Sequence, residues 1–286
     1  MSSRALIGRI ALRSLIAVVA LAVVLTLLTF TYFWRSPGYY LDVEAYPGEA
    51  KVVAKRDYRL GHPQPYIYES DGVLVYGSVH SKDPGDPQMR DIENRWREFR
   101  PTVALVEGRL GFLAPGFMDP VKEYGEMGLV YALAKADGVT TYSWERPWDS
   151  VATTLAGQFP PERVALYFVL RPYFGNRRSG RPASPEGFLD EYLHRASIPA
   201  LAGTIDDVGD VDRIWQRDFP GEPDWRDVSD EGPLVGYLND IGNASEDLRN
   251  QHLARVIQAF RTKGKRVFVV CGSSHAVVIE PAVRRP

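Results

Sequence analysis

The chain has 286 residues, of which 45% are apolar, 12% aromatic and 24% charged, a globular make-up that excludes a disordered or low-complexity protein. Its 34 basic and 36 acidic side chains give a formal charge of −2, but Arg4, Arg9, Arg13 and Arg35 precede Ser36, so the rest carries 30 basic against 36 acidic groups. The densest basic cluster, Arg177, Arg178 and Arg181, sits in a Gly/Pro/Ser-rich stretch, which is no phosphate-tracking stripe and excludes nucleic acid as a partner. The lone Cys271 excludes an internal disulfide and any cysteine-built zinc site.

From Ser14 to Trp34 the chain is free of charge, long enough for a transmembrane helix, which needs about 20 residues. Arginines precede the run and acidic residues follow Arg35. The positive-inside rule then predicts a cytoplasmic segment over 1–13, a single-pass signal anchor over 14–34 in the cell membrane, and a periplasmic or extracellular body. A cleaved signal peptide would end in a small-x-small site, whereas this run ends in Thr31-Tyr32-Phe33-Trp34, an interfacial aromatic belt. A buried core helix is the other reading of the run.

Residues 35–50, rich in Pro, Gly and Tyr, read as a linker, and 51–286 as the folded body. Residues 51–60 and 64–70 are expected to be short strands or a hairpin. Next come an apolar strand from Val73 to Gly77, a helix opened by Asp86-Pro87 with Met89, Ile92, Trp96 and Phe99 on one stripe, and a strand from Val103 to Glu107. Both strands are apolar on both faces, which predicts a parallel pair joined by a crossover. A helix from Pro120 to Asp137 stopped by Gly138, a strand from Val139 to Trp144 and a helix over 161–173 follow. Residues 174–187 and 219–233 are breaker-rich, and the stretch around 174–247 reads as an irregular insertion. Glu246 to Thr262 is expected to be a helix, Arg266 to Gly272 the last strong strand, and Ala276 to Glu280 a weaker one. The fold class is α/β, a mostly parallel central sheet with helices on both faces, preceded by the transmembrane helix. No solenoid-length repeat is present.

Two segments share one design, an apolar strand followed by Gly-x-x-His: VLVYGSVH ending at His80 and VFVVCGSSH ending at His275. Ligands of open parallel sheets bind beyond the C-terminal strand ends, where both segments fall. Two more strand ends deliver Glu107 and Glu145 to the same rim. Two imidazoles with one or two carboxylates suit an open divalent-metal site, while a single such histidine is more often a hydrogen-bonded structural residue. Arg249 lies four and seven residues before Leu253 and Val256 and so faces inward, where it needs an anionic partner. That partner is a site carboxylate, a substrate anion or a structural Asp. His252 is either a support for the site or solvent-facing. Gly272-Ser273-Ser274-His275-Ala276 has the look of a nucleophile elbow, but too few residues follow for the acid and histidine such hydrolases carry downstream. Walker, dinucleotide-binding and His-Glu-x-x-His patterns are missing. The cluster Asp206, Asp207, Asp210 and Asp212 reads as a solvated loop or helix start.

This set, two distant Gly-x-x-His segments, the strand-end Glu107 and Glu145, and the Arg249-Asn250 helix before the last strand, resembles the TraB/TIKI/GumN superfamily, to which erythromycin esterase-like and ChaN-like proteins are related. The resemblance spans about residues 65–282 without a match over about 174–247. It implies His80, His275 and Glu107 as active-site residues, with Glu145 and Arg249 in the pocket. Asn250 and Leu253 stand where the family helix often has Asp and Met. TIKI members are membrane-tethered metal-dependent proteases, ChaN-like relatives bind haem, and erythromycin esterase-like ones hydrolyse a lactone. The expectation is an extracytoplasmic metal-dependent hydrolase, protease- or esterase-like. In it His80, His275 and Glu107 hold a divalent metal of the Mn, Co or Zn type, and Glu107, Glu145 and Arg249 act on a peptide or small-molecule substrate. The alternative is a non-catalytic haem- or small-ligand-binding or interaction domain of the same fold.

Overall fold

A computed structural model describes residues 14–27, 33–41, 43, 50–59, 61–177 and 180–284. Residues 14–27 form helix α1 with its apolar side chains exposed. Among the described residues no helix is long and apolar enough to cross a membrane, so the expected span over 14–34 is not supported in that form. Residues 28–32 of it, the expected cytoplasmic segment 1–13, and Arg178 lie outside the described residues. At its far end the run is not helical: Trp34 pairs with Leu113, donating its N–H to Leu113 O at 2.9 Å and accepting the Leu113 N–H at 3.1 Å.

Six strands build one sheet: β1 (Gly38–Tyr39), β2 (Tyr66–Ser70), β3 (Val73–Ser78), β4 (Val103–Val106), β5 (Thr140–Ser143) and β6 (Val267–Gly272). Their order is β1-β5-β4-β6-β3-β2, every pairing parallel except that of β2 with β3. The α/β class and mostly parallel sheet therefore stand. Two expectations about the sheet itself do not. The first concerns the linker: Gly38 and Tyr39 form the edge strand on β5, and Tyr40 is buried against Tyr142 and Phe260. The second is the direct pairing of the two early strands, since β6 lies between β3 and β4, with Ser78 opposite Gly272 and Val106 opposite Val270. A strand contributed nearly 200 residues later takes the centre because it too is apolar on both faces.

Alternate residues of β3, β4 and β6 face two cores. Val75, Leu105 and Val269 pack with Leu253, Val256 and Ile257 of α8 (Gly236–Thr262) and Ile279 of α9 (Ser273–Arg284). Tyr76, Ala104 and Val270 pack with Ile92 and Trp96 of α2 (Pro87–Phe99) and Val130 and Ala134 of α3 (Pro120–Asp137). Asp86 and Asp119 cap α2 and α3, each with proline in the first turn, and Gly138 ends α3 in the left-handed conformation. A third core joins α4 (Trp148–Ala156), α5 (Pro161–Asn176), α6 (Pro185–Asp190), α7 (Val208–Asp218) and the first turns of α8. The stretch 174–247 is thus largely a helical lobe around Trp215 and Trp225 rather than irregular chain. Ala276 to Glu280, expected as a weak strand, lies inside α9, and the described residues of 51–60 hold a 3-10 turn at Lys55–Asp57 and no strand.

Candidate active site

Because β3, β4, β5 and β6 run parallel, their C-terminal ends share one rim, and His80, Glu107, Glu145 and His275 leave it from four strands in the order β5, β4, β6, β3. The structure brings His80, Glu107 and His275 together around a cavity of about 420 Å³ whose walls also include Glu246, Arg249 and Ser274, and Glu145 is linked to it through Arg249. The two glycines of the repeated motif have complementary roles. A Cβ on Gly77 would lie 2.6 Å from Ala276 Cβ and 2.7 Å from Tyr66 O, so only glycine lets α9, which carries His275, seat on β3. A Cβ on Gly272 would lie 3.1 Å from His80 Nε2 and 3.7 Å from Glu107 Oε2. Gly77 clears space for the helix that carries the other motif's histidine, and Gly272 for His80 itself.

Both imidazoles are held at Nδ1. His80 Nδ1 meets Glu126 Oε1 at 2.6 Å, and that buried carboxylate also accepts Ser78 Oγ at 2.7 Å. Helix α3 delivers Glu126 through a break at Gly125 (φ 62°), where a Cβ would strike Ser81 O at 2.7 Å. His275 Nδ1 meets the buried Asn250 Oδ1 at 2.6 Å, and its ring stands edge-on to Trp144. A carboxylate and an amide oxygen only accept, so the proton of each neutral ring sits on Nδ1 and the Nε2 lone pair is presented to the cavity. His275 Nε2 lies 3.6 Å from Glu107 Oε1 and 3.5 Å from Glu246 Oε2.

Arg249 binds three carboxylates. Its Nε donates to Glu145 Oε2 at 2.9 Å and its Nη2 to Glu145 Oε1, which makes that pair bidentate. Nη1 reaches Glu246 Oε1 at 2.5 Å and Nη2 reaches Glu107 Oε1 at 3.3 Å. The free choice left by the sequence is thereby resolved: the partners of Arg249 are site carboxylates. Glu145 is occupied as the clamp of Arg249, which is a positioning task, whereas Glu107 faces both histidines. Glu107 Oε2 also accepts Gly272 N–H at 2.8 Å. Burial by itself raises the Glu107 carboxyl, but His275, Arg249, His80 and the Gly272 N–H together hold it below the usual value. Burial likewise raises Glu246, and Arg249, His275, Arg171 and Lys55 outweigh it and bring it down to about 2. Burial lowers Arg249, and Glu246, Glu145 and Glu107 more than reverse this, so its charge is permanent.

Glu246, Glu126 and Arg171 were not picked out from sequence. Glu246 had a signal, standing one helical turn before Arg249 on the same face; Glu126 and Arg171 had none. His252 is buried, its Nε2 3.1 Å from Tyr40 O, and belongs to neither expected role. Cys271 is buried and its thiol pushed up by burial, which leaves it inert. The aspartate cluster is a helix start, Asp207 capping α7 and Asp212 binding Arg226 and Trp225.

A divalent ion fits the donor chemistry here, two Nε2 atoms with their Nδ1 atoms tied down and a carboxylate facing both. Among the described residues, though, no group of three or more His, Cys, Asp or Glu side chains is arranged as a ready-made ion cage. The chain matches no protein-family model, no curated protein and no solved structure.

Proposed function

We propose that this chain is a hydrolase of ester or amide bonds, a relative of the TraB/TIKI/GumN superfamily, working at the rim formed by His80, Glu107 and His275. The observation that carries the reading is the shared arrangement of the two imidazoles. Each has its Nδ1 committed to a buried acceptor, so each Nε2 is pre-set as a base or ligand beside one half-buried carboxylate. Purely structural histidines need no such matched pair.

The same three side chains would hold a divalent ion of the Mn, Co or Zn type, which when bound lowers the pKa of water and polarises a carbonyl. The chain's own groups supply the rest. Where no ion occupies their Nε2 atoms, His80 and His275 accept a proton there from water or pass one to the leaving group; Nε2 atoms that ligate an ion leave proton transfer to Glu107. Glu107, kept ionised, orients water and favours charge on either imidazole. Arg249, with one edge toward Glu107, keeps that carboxylate in place, and Glu145 and Glu246 keep Arg249 in place. The uncharged run of the sequence, with arginines before it and acidic residues after it, supports membrane attachment with the body outside the cytoplasm.

The test uses the purified full chain in a neutral detergent. Metal content is measured, and hydrolysis is followed on panels of aryl esters and fluorogenic peptides with and without His80→Ala and His275→Ala. Each variant is expected to lose at least 100-fold in activity while melting within a few degrees of the parent. Full activity in either variant would remove the mechanism; metal-free protein with intact activity would remove the ion alone.

A further inference from the structure

On the other side of α8 from Arg249 lies a second cavity, of about 650 Å³, between α8, the start of α4 and the chain at Leu41 and Val43. Its walls carry two arginines, Arg146 and Arg255. Arg146 donates to two neutral hydroxyls, Ser150 Oγ at 2.7 Å and Thr154 Oγ1 at 3.5 Å. The Nε of Arg255 is buried and has no hydrogen-bond partner. Among the described residues neither guanidinium meets a carboxylate, whereas Arg249, on the same helix, meets three.

The surroundings reinforce this imbalance. Burial and the charge of Arg255 both push Arg146 below the usual arginine value. His252, in the same wall, is driven down to about 4 by burial and by Arg146, so it stays neutral. Among the described residues the one acidic wall residue, Asp247, is turned to the Lys55 N–H at 2.6 Å, and burial raises its carboxyl. Leu248 and Ala244 of α8 form an apolar side to the cavity, with Leu41 and Val43 facing from the N-terminal segment.

We propose that this cavity binds a small anion, a carboxylate or phosphate head group held by Arg146 and Arg255, with a short apolar part against Leu248 and Val43. Paired guanidinium groups on a part-dry wall are the arrangement that recognises such planar or tetrahedral oxyanions. The site is separate from the rim of His80 and His275 and stands whether or not that rim is hydrolytic.

The probes are inorganic phosphate and hexanoate, titrated calorimetrically into the full chain in neutral detergent at low ionic strength, with melting curves alongside. One equivalent of at least one probe is expected to bind saturably and raise the Tm; phosphate alone assigns a phosphate head, hexanoate alone a carboxylate with its tail. Arg146→Gln and Arg255→Gln should each weaken binding at least tenfold, while Arg255→Lys keeps part of it. Without anion, Arg255→Gln should melt no lower than the parent, because it removes an uncompensated charge. Failure of both probes to bind, or binding unchanged in both Gln variants, would overturn the proposal. So would a lower Tm of anion-free Arg255→Gln, or binding that emerges only in Asp42→Asn or Glu44→Gln, since the arginines would then serve carboxylates of the chain itself.

Discussion

At the residue scale the site is an electrostatic lock with Arg249 at its centre. Removing one partner of a buried ion network leaves charges uncompensated, which costs about 3–5 kcal/mol. Arg249→Leu should therefore lose about that much in urea unfolding, besides losing activity, since Glu107, Glu145 and Glu246 would be left facing one another. Glu246 gives a pH signature. Its carboxyl falls from an ordinary 4.5 to about 2 in the fold. A depressed carboxylate stabilises the fold fully above its unfolded value, and that contribution, on the order of 3 kcal/mol, is lost as pH falls from about 4.5 toward 2. Glu246→Gln should flatten the acid limb of the stability curve in that window; an unchanged limb would show that Glu246 is not held ionised. His252 titrates well below a surface histidine: burial and Arg146 hold it near 4, so its ring resonances in a proton NMR titration should stay those of the neutral ring through pH 6.5 and move only near pH 4.

At the scale of elements, the two Gly-x-x-His segments work because neighbouring strands β3 and β6 run in parallel register, Gly77 opposite Cys271 and Ser78 opposite Gly272. Gly77→Ala would drive a Cβ into Ala276 Cβ and Tyr66 O, an overpacking of about 1–3 kcal/mol that should lower the Tm and loosen α9. Gly272→Ala is milder in packing, its Cβ meeting the movable ring of His80. It should leave stability within about 1 kcal/mol but cut hydrolysis by about 10-fold or more, because the ring must swing off its productive position. Equal effects of the two substitutions on melting and turnover would contradict this division. Helix α8 is the other organising element. One face sends Glu246, Arg249 and Asn250 to the rim and continues as Leu253, Val256 and Ile257 onto the sheet, while another carries His252 and Arg255 to the second cavity.

Across the whole molecule, the sheet is incomplete without its N-terminal segment. Tyr39 pairs with Ser143, Tyr40 is buried between Tyr142 and Phe260, and Tyr40 N–H reaches Ser143 O at 3.3 Å. A chain begun at Lys51 should accordingly be less stable than one begun at Ser36 by about 2–4 kcal/mol, the value of burying aromatic area and an edge strand. Comparable denaturant midpoints for the two would mean that 36–50 is a linker after all.

What the sequence by itself determined is what local pattern encodes. Runs apolar on both faces located β3, β4 and β6, Asp-Pro starts and Gly138 bounded α2 and α3, and the strand ends placed His80, Glu107, Glu145 and His275 on one rim. The inward face of Arg249 followed from its spacing to Leu253 and Val256. Only the tertiary structure decided that β6 separates β3 from β4, that Glu126 and Asn250 hold the two imidazoles, and that Glu145 clamps Arg249 instead of facing the histidines. It also turned the short apolar run at Ala276 to Glu280 into helix, since a run of that length has no period of its own to separate strand from buried helix. Periodicity is written into neighbouring residues and survives in any context. Strand order and the partner of a buried polar atom depend on chain segments far apart, and they are set by which apolar faces and which charges must be satisfied together once the chain has closed on itself.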